Sequence, residues 1–278
     1  MASSGDTTRF DPITDRARLT TVAYATPGYL ADRQQIYRFI QPDLAPITEW
    51  LFDLAGGPDE LLEPVVDVGT GGGQYLDALS SRKRVGLDLS SGMLAALRRQ
   101  QPDLPLACAD VQSVPLADGS AGTLLANHML YHVPDIAKGV AELRRVLQPK
   151  GLLLVVTNGI DHLAELAALR DQVISQLAGQ PSHLDTSGKR FTLENGEQHL
   201  RRYFRSVECH HRRAELVVPD PEPVLRYLAS QESLAPLLPD GITFDAVLQA
   251  AEPMLVATIK TEGHFRVRIH AGAFVCHD

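Results

Sequence analysis

Apolar and polar positions change their period several times along the chain, and the changes mark the elements. Ahead of residue 64, apolar residues such as Tyr24, Tyr29, Ile36 and Phe39 lead at helical spacing into the stretch 47–54, which predicts an N-terminal helical cap and then a first helix. Gly56-Gly57-Pro58 ends that helix, because glycine serves a C-terminal cap and proline cannot continue the turn. Short apolar runs and helical stretches then alternate. Strands are predicted at 64–68, 84–87, 106–109, 123–126 and 151–157, with helices over 75–79, 90–99 and 135–147. Apolar strands alternating with helices imply an α/β fold whose mostly parallel sheet is covered on both faces.

Beyond 157 the pattern changes. A helix is predicted over 163–177 and another near Leu193, while 207–218 and 265–276 alternate as antiparallel strands at the far end of the sheet. Between them, prolines at 219, 221, 223, 236, 239 and 253 break the helices, which reads as an inserted cap. The expected division is a helical lid at 1–45, a core at 46–218, the cap at 219–263 and the last core strand at 264–278.

Composition narrows the class. The 278 residues are 44% hydrophobic and 22% charged, enough for a real core and far from disorder. No apolar run approaches the roughly 18 residues a membrane span needs. The start, MASSGDTTRFDP, has no basic segment followed by an apolar one, so a cytoplasmic protein is expected. Cys108, Cys209 and Cys276 are too scattered for a disulfide framework, and neither they nor the histidines show metal-ligand spacing. A formal charge of −8 opposes a nucleic-acid partner at long range.

The chemistry-bearing signal is Asp67-Val68-Gly69-Thr70-Gly71-Gly72-Gly73, placed after a buried strand and before a helix. Glycines there let the backbone turn tightly and approach a ligand. The run lacks the Gly-Lys-Ser/Thr ending of a phosphate-gripping loop and carries an acid before its glycines, which suits an ammonium group better than a pyrophosphate. Asp88 ends the second strand of the alternating run, where an acid can accept hydrogen bonds from ribose hydroxyls, and Asp110 ends the third.

With these residues the chain resembles the class I S-adenosylmethionine-dependent methyltransferases from about residue 65 to 156. It is most similar to type 11-like small-molecule enzymes related to the ubiquinone/menaquinone C-methyltransferase group, through Asn127-His128-Met129-Leu130-Tyr131-His132-Val133-Pro134-Asp135 and the stretch from Glu142 to Gly151. Lys150 stands where that group has the first glycine of Pro-Gly-Gly, a change expected to be harmless. The resemblance implies a Rossmann-like, doubly wound, seven-stranded sheet with an antiparallel C-terminal strand. It also implies S-adenosyl-L-methionine as cofactor, with Asp67, Gly69, Thr70, Gly71, Gly73 and Asn127 at its methionine part and Asp88 on its ribose. Leu89 and Met93 would flank the adenine, Asp110 would take its amino group, and the Val111 amide a ring nitrogen. Tyr24 and Arg33, in a segment similar to the lid of bacterial enzymes of specialised metabolism, would cover the sulfonium and meet the cofactor carboxylate.

Acceptor chemistry falls to residues after the fourth and fifth of these strands. His128, His132 and His162 could take an acceptor proton, His162 being the best placed, and Tyr131 could position the acceptor. The expected activity is methyl transfer to an N, O or C atom of a small molecule of specialised metabolism. Partners are then that small acceptor and at most a second copy of the chain in a homodimer, with no nucleic acid, no membrane and no metal. An RNA or DNA methyltransferase and a non-catalytic, cofactor-binding regulatory protein stay open as alternatives.

Overall fold

The computed structural model describes residues 11–184 and 187–278. The opening stretch behind the cytoplasmic expectation, and the first ten residues of the expected lid, thus fall almost wholly outside the described residues. Eight strands, β1 (Ile40–Gln41), β2 (Val65–Val68), β3 (Arg84–Asp88), β4 (Leu106–Cys108), β5 (Ala121–Leu125), β6 (Leu147–Asn158), β7 (Ser206–Val218) and β8 (Phe265–His277), form one sheet of order β1-β7-β8-β6-β5-β2-β3-β4. The helices are α1 (Arg16–Arg18), α2 (Gly28–Gln35), α3 (Ile47–Asp53), α4 (Gln74–Asp77), α5 (Ser91–Gln100), α6 (Ile136–Val146), α7 (Ala164–Ala178), α8 (Gly196–Leu200), α9 (Pro221–Ala229) and α10 (Phe244–Glu262), joined by short 3-10 and π turns. Among the described residues, no helix is long and apolar enough to cross a membrane.

From β6 to β4 the sheet is parallel, and β8 runs antiparallel to both β6 and β7, as the expected Rossmann-like fold requires. All of Val65, Val66, Asp67 and Val68 are buried, because β2 is covered on both faces. That double burial explains a continuous apolar run with no alternation. Among the described residues the sheet has eight strands where seven were expected. Ile40 and Gln41, in the segment read as wholly helical, pair with Leu216 and Glu215 at the sheet edge, a two-residue strand too short to leave a period in the sequence. Lys150 has φ 65°, the left-handed conformation in which the glycine of related chains has no steric cost.

One face of the sheet buries Val140, Leu143 and Val146 of α6 with Phe191, Leu200 and Phe204; the other buries Leu51 and Phe52 of α3 with Tyr75 and Leu79. A separate apolar cluster lies beyond. Pairing of β6 with β8 stops at Asn158↔Ala271, whereas β7 and β8 continue together from Arg213↔His270 to Val218↔Phe265. This overhanging ribbon buries Leu216, Val218, Val267 and Ile269 against α7, α9 and α10 and against Ile36 of the N-terminal segment. α7 and the outer halves of β7 and β8 share this apolar core with α9 and α10 of the 219–263 segment. Residues of the N-terminal segment and Tyr227 of α9 line a cleft together with the residues just past the carboxyl ends of β2, β5 and β6. There the strand order reverses, since the chain runs outward from β2 through β3 to β4 and then crosses to β5, and open sheets of this kind bind ligands at that point.

Candidate functional site

A cleft of about 850 Å³ opens at this reversal point. Its floor is the turn after β2. Gly69, Gly71 and Gly73 all have positive φ (79°, 51° and 81°), and a Cβ on Gly73 would come within 2.6 Å of the buried Leu97 side chain, so the loop needs glycine for both conformation and room. The Gly71 amide donates to Asp88 Oδ2 at 2.8 Å, and the Ser90 amide donates to Asp88 Oδ1 at 2.8 Å. Asp88 is thus fixed on the cleft wall by two backbone donors while each oxygen keeps a lone pair. Burial raises its carboxyl above the usual range, and these amide bonds hold it down. Leu89, Met93 and Val111 supply apolar walls beside it. Asp110 lies at the same end, engaged by the Gln112 amide at 2.8 Å and ion-paired with Arg16 of α1.

Asp67 departs from the expected placement. It is 1% exposed, behind the loop rather than on the cleft wall, and neither carboxylate oxygen finds a hydrogen-bond partner among the described residues. Burial pushes its carboxyl up to about 7; the Thr70 hydroxyl beside it pulls the other way but makes no hydrogen bond of ordinary geometry. Asn127 lies two residues beyond the end of β5 and lines the cleft. Its Oδ1 accepts from the Val156 amide at 3.0 Å, so its Nδ2, buried and without a partner, is left at the cleft.

The opposite wall holds the lid and the acceptor residues. Tyr24, Arg33, His128, Tyr131, His132 and His162 all line the cleft, as does Tyr37, which the sequence reading missed. Tyr37 stands four positions after Arg33, and that helical spacing was the signal that could have found it. Tyr227 of α9 joins them from the cap, in a proline-rich segment whose sequence has no such signal. His132 Nδ1 meets the Ile13 carbonyl at 2.9 Å and must carry its proton, so Nε2 accepts from the Tyr24 hydroxyl at 3.0 Å. Arg33 donates to the same hydroxyl at 3.3 Å, and from its other nitrogens to Ser230 Oγ at 3.3 Å and the Ser230 carbonyl at 3.0 Å.

His162 is wired in the other sense. Its Nδ1 accepts from the His270 amide at 3.1 Å, which leaves the proton on Nε2, 3.0 Å from the Tyr37 hydroxyl. Both ring nitrogens of the favoured base are therefore committed. His128, at φ 55°, makes no side-chain hydrogen bond among the described residues. Burial lowers all three rings, His128 and His132 to about 4 and His162 to about 3, so all are neutral near pH 7. Away from the cleft, the fold brings Asp161, Glu194 and His270 together with ligand atoms within 4.8 Å of one another, a grouping no spacing announced. There His270 Nδ1 is hydrogen-bonded to Asp161, and Gly159 makes room for its ring, since a Cβ would fall 2.1 Å from Nδ1.

Residues 66–155 match a family model described as methyltransferase domain. A malonyl-[acyl-carrier protein] O-methyltransferase of Methylovorus sp. is 32% identical over 123 residues, 40% of this chain and 42% of that protein. The 23S rRNA (guanine(748)-N(1))-methyltransferase of Streptomyces fradiae is 34% identical over 163 residues, 52% of this chain and 54% of that protein. The chain thus spans about half, or less, of the length of these curated relatives. Among solved structures, the phosphoethanolamine N-methyltransferase 2 of Haemonchus contortus, in complex with phosphomonomethylethanolamine and S-adenosylhomocysteine, superposes with a TM-score of 0.53 at 15% identity, over 95% of this chain and 59% of that one, a likeness of fold.

Proposed function

We propose that this chain, whose residues 66–155 form a class I S-adenosylmethionine-dependent methyltransferase domain, transfers a methyl group to a small acceptor enclosed between lid, cap and strand ends. The observation that carries the reading is the lock between the glycine turn and Asp88: Gly71 N to Asp88 Oδ2 at 2.8 Å presents a carboxylate with spare lone pairs on the wall of the cleft, ready for a vicinal diol. The unpartnered Asn127 Nδ2 and the apolar wall of Leu89, Met93 and Val111 fit the rest of the cofactor. Asp88 would hold the ribose and Asp110 the adenine amino group, while Gly69, Thr70, Gly71, Gly73 and Asn127 would hold the methionine part. Asp67 would act from behind, on the shape of the turn.

S-adenosylmethionine supplies an already activated methyl group on its sulfonium. The protein's work is then alignment and exclusion of water, which can account for much of the acceleration when reacting atoms are held near contact. The lid serves that purpose by being tied to both neighbours. Ser90 Oγ donates to the Tyr24 carbonyl at 2.7 Å, and Arg18 Nε donates to the cap carbonyl of Ser233 at 3.0 Å. This closure and the net charge of −8 favour a small molecule over a nucleic acid. Three free cysteines suit the reducing cytoplasm.

Calorimetric titration tests the reading. S-adenosylhomocysteine should bind, NADH should not, and Asp88→Ala should weaken binding by about 1.5 to 3 kcal/mol, the scale for hydrogen bonds to a charged group. Unchanged affinity in the variant would remove Asp88 from the site, and tighter binding of NADH would remove the reading.

A further inference from the structure

We propose that the acceptor presents an anionic oxygen, a carboxylate or a phenolate, to Arg33 and the Tyr37 hydroxyl; this rests on the methyltransferase reading and adds the chemical class of the substrate. The argument begins with the direction of the hydrogen bonds. A backbone amide can only donate, so the His270 N–H makes His162 Nδ1 an acceptor and puts the ring proton on Nε2. That N–H points at Tyr37, whose oxygen must accept it. The hydroxyl proton of Tyr37 is then free, and Tyr37 meets a ligand in the cleft as a donor. Asn127 is polarised in the same way, since its oxygen is spent on the Val156 amide and its Nδ2 is not.

Charge points in the same direction. Arg33 lines the cleft and donates only to neutral oxygens, those of Ser230 and Tyr24, and no ion pair to it exists among the described residues. A guanidinium offers five N–H groups, so donors remain for a ligand. Of the carboxylates lining the cleft, Asp88 and Asp110 are engaged at the ribose and adenine end and Asp43 is exposed. The histidines of this wall are neutral near pH 7. Besides the Asp110-paired Arg16, the cleft is lined by Arg33, Arg38 and Arg212, none of which has an ion pair among the described residues; Arg38 is exposed and Arg212 donates to the Ala45 carbonyl and lies over the Trp50 ring, so Arg33 is the half-buried cation set between lid and cap without a counter-ion. Leaving such a cation unpaired is costly, and an anionic oxygen would resolve it. An ammonium acceptor would meet a like charge at Arg33 and a donor at Tyr37. Tyr131 and Tyr227 both lie within electrostatic reach of Arg33, which lets a flat ring sit beside the anion.

Matched probes of one size test this on protein saturated with S-adenosylhomocysteine, by calorimetry or ligand-observed NMR: benzoate, benzyl alcohol and benzylamine. Benzoate should bind at least tenfold more tightly than the other two. Arg33→Met should remove at least tenfold of that affinity and Tyr37→Phe at least threefold, with each variant shown to be folded by its circular dichroism and measured at S-adenosylhomocysteine concentrations that saturate it. Benzoate binding no tighter than benzylamine, including no binding at all, overturns the proposal. So does an Arg33→Met or Arg33→Lys protein that loses tenfold in S-adenosylhomocysteine affinity and nothing in benzoate, since the arginine would then serve the cofactor carboxylate. Failure of the parent protein to bind S-adenosylhomocysteine is a different result: it sinks the methyltransferase reading, and the inference falls with it.

Discussion

Asp67 shows how a residue can be legible in type and misread in place. Its position before the glycines marks the family turn, yet the carboxylate faces the interior, where burial raises it from an ordinary value of 3.8 to about 7. The sign of the consequence follows from linkage. The unfolded chain loses this proton near pH 4 and the folded chain only near pH 7, so the group costs stability as pH rises between them, and the full cost stands above about 7. Asp67→Asn keeps the shape and removes the charge. Thermal or urea unfolding of the cofactor-free protein should show the variant more stable by up to about 4 kcal/mol at pH 8, with little difference at pH 4. An equal effect at both pH values would mean that the carboxylate titrates in the folded chain as it does in the unfolded one, reached by water or paired. The histidines teach the same lesson from the other side. Sequence places His128, His132 and His162 at the strand ends, but which nitrogen carries the proton depends on the Ile13 carbonyl and the His270 amide, partners 119 and 108 residues away.

Elements with a strong period could be read to within a few residues. The strand expected at 207–218 spans Ser206–Val218, and the helix expected at 135–147 spans Ile136–Val146, because the strand turns alternate residues such as Leu216 and Val218 toward the helices and the helix buries one stripe against the sheet. The lid could be read only as a helical tendency. What holds it is tertiary: a Cβ on Gly92, in the first turn of α5, would fall 2.0 Å from the Ala25 carbonyl oxygen, so the lid backbone rests directly on that helix. Gly92→Ala should therefore lift the lid without harming α5, where alanine is the better helix former by about 1 kcal/mol. Hydrogen exchange of the variant with S-adenosylhomocysteine bound should show residues 24–33 losing the protection they have in the parent, and turnover should fall through water entry rather than through unfolding. If protection and turnover both survive, the contact is incidental to closure.

At the scale of the whole molecule, the cleft joins a sheet, a lid and a cap in one buried polar wall, and that wall ties folding to pH. The three histidines titrate near 6.5 in the unfolded chain but at about 4, about 4 and about 3 in the folded one. Between pH 6.5 and 4 the unfolded state binds up to three more protons here, so stability is complete above 6.5 and falls as pH falls. Asp67 opposes this over the same window with one proton held by the folded state, and Asp88, also raised, adds to the opposition at its lower end. The balance is one to two protons, or roughly 1 to 3 kcal/mol lost per pH unit. Urea midpoints of the cofactor-free protein at pH 7, 6 and 5 should decline accordingly, and His128→Asn, which removes one titrating ring without breaking a side-chain hydrogen bond, should flatten the slope by about one proton. A midpoint that holds steady to pH 5, or a slope that the substitution leaves alone, would show that water reaches these rings and that lid and cap stand open in solution. Protonation of the wall is then a route by which acid loosens the closure that the proposed methyl transfer requires, and the same measurements with S-adenosylhomocysteine added should move the decline to lower pH, since a ligand that binds only the folded state stabilises it at every pH.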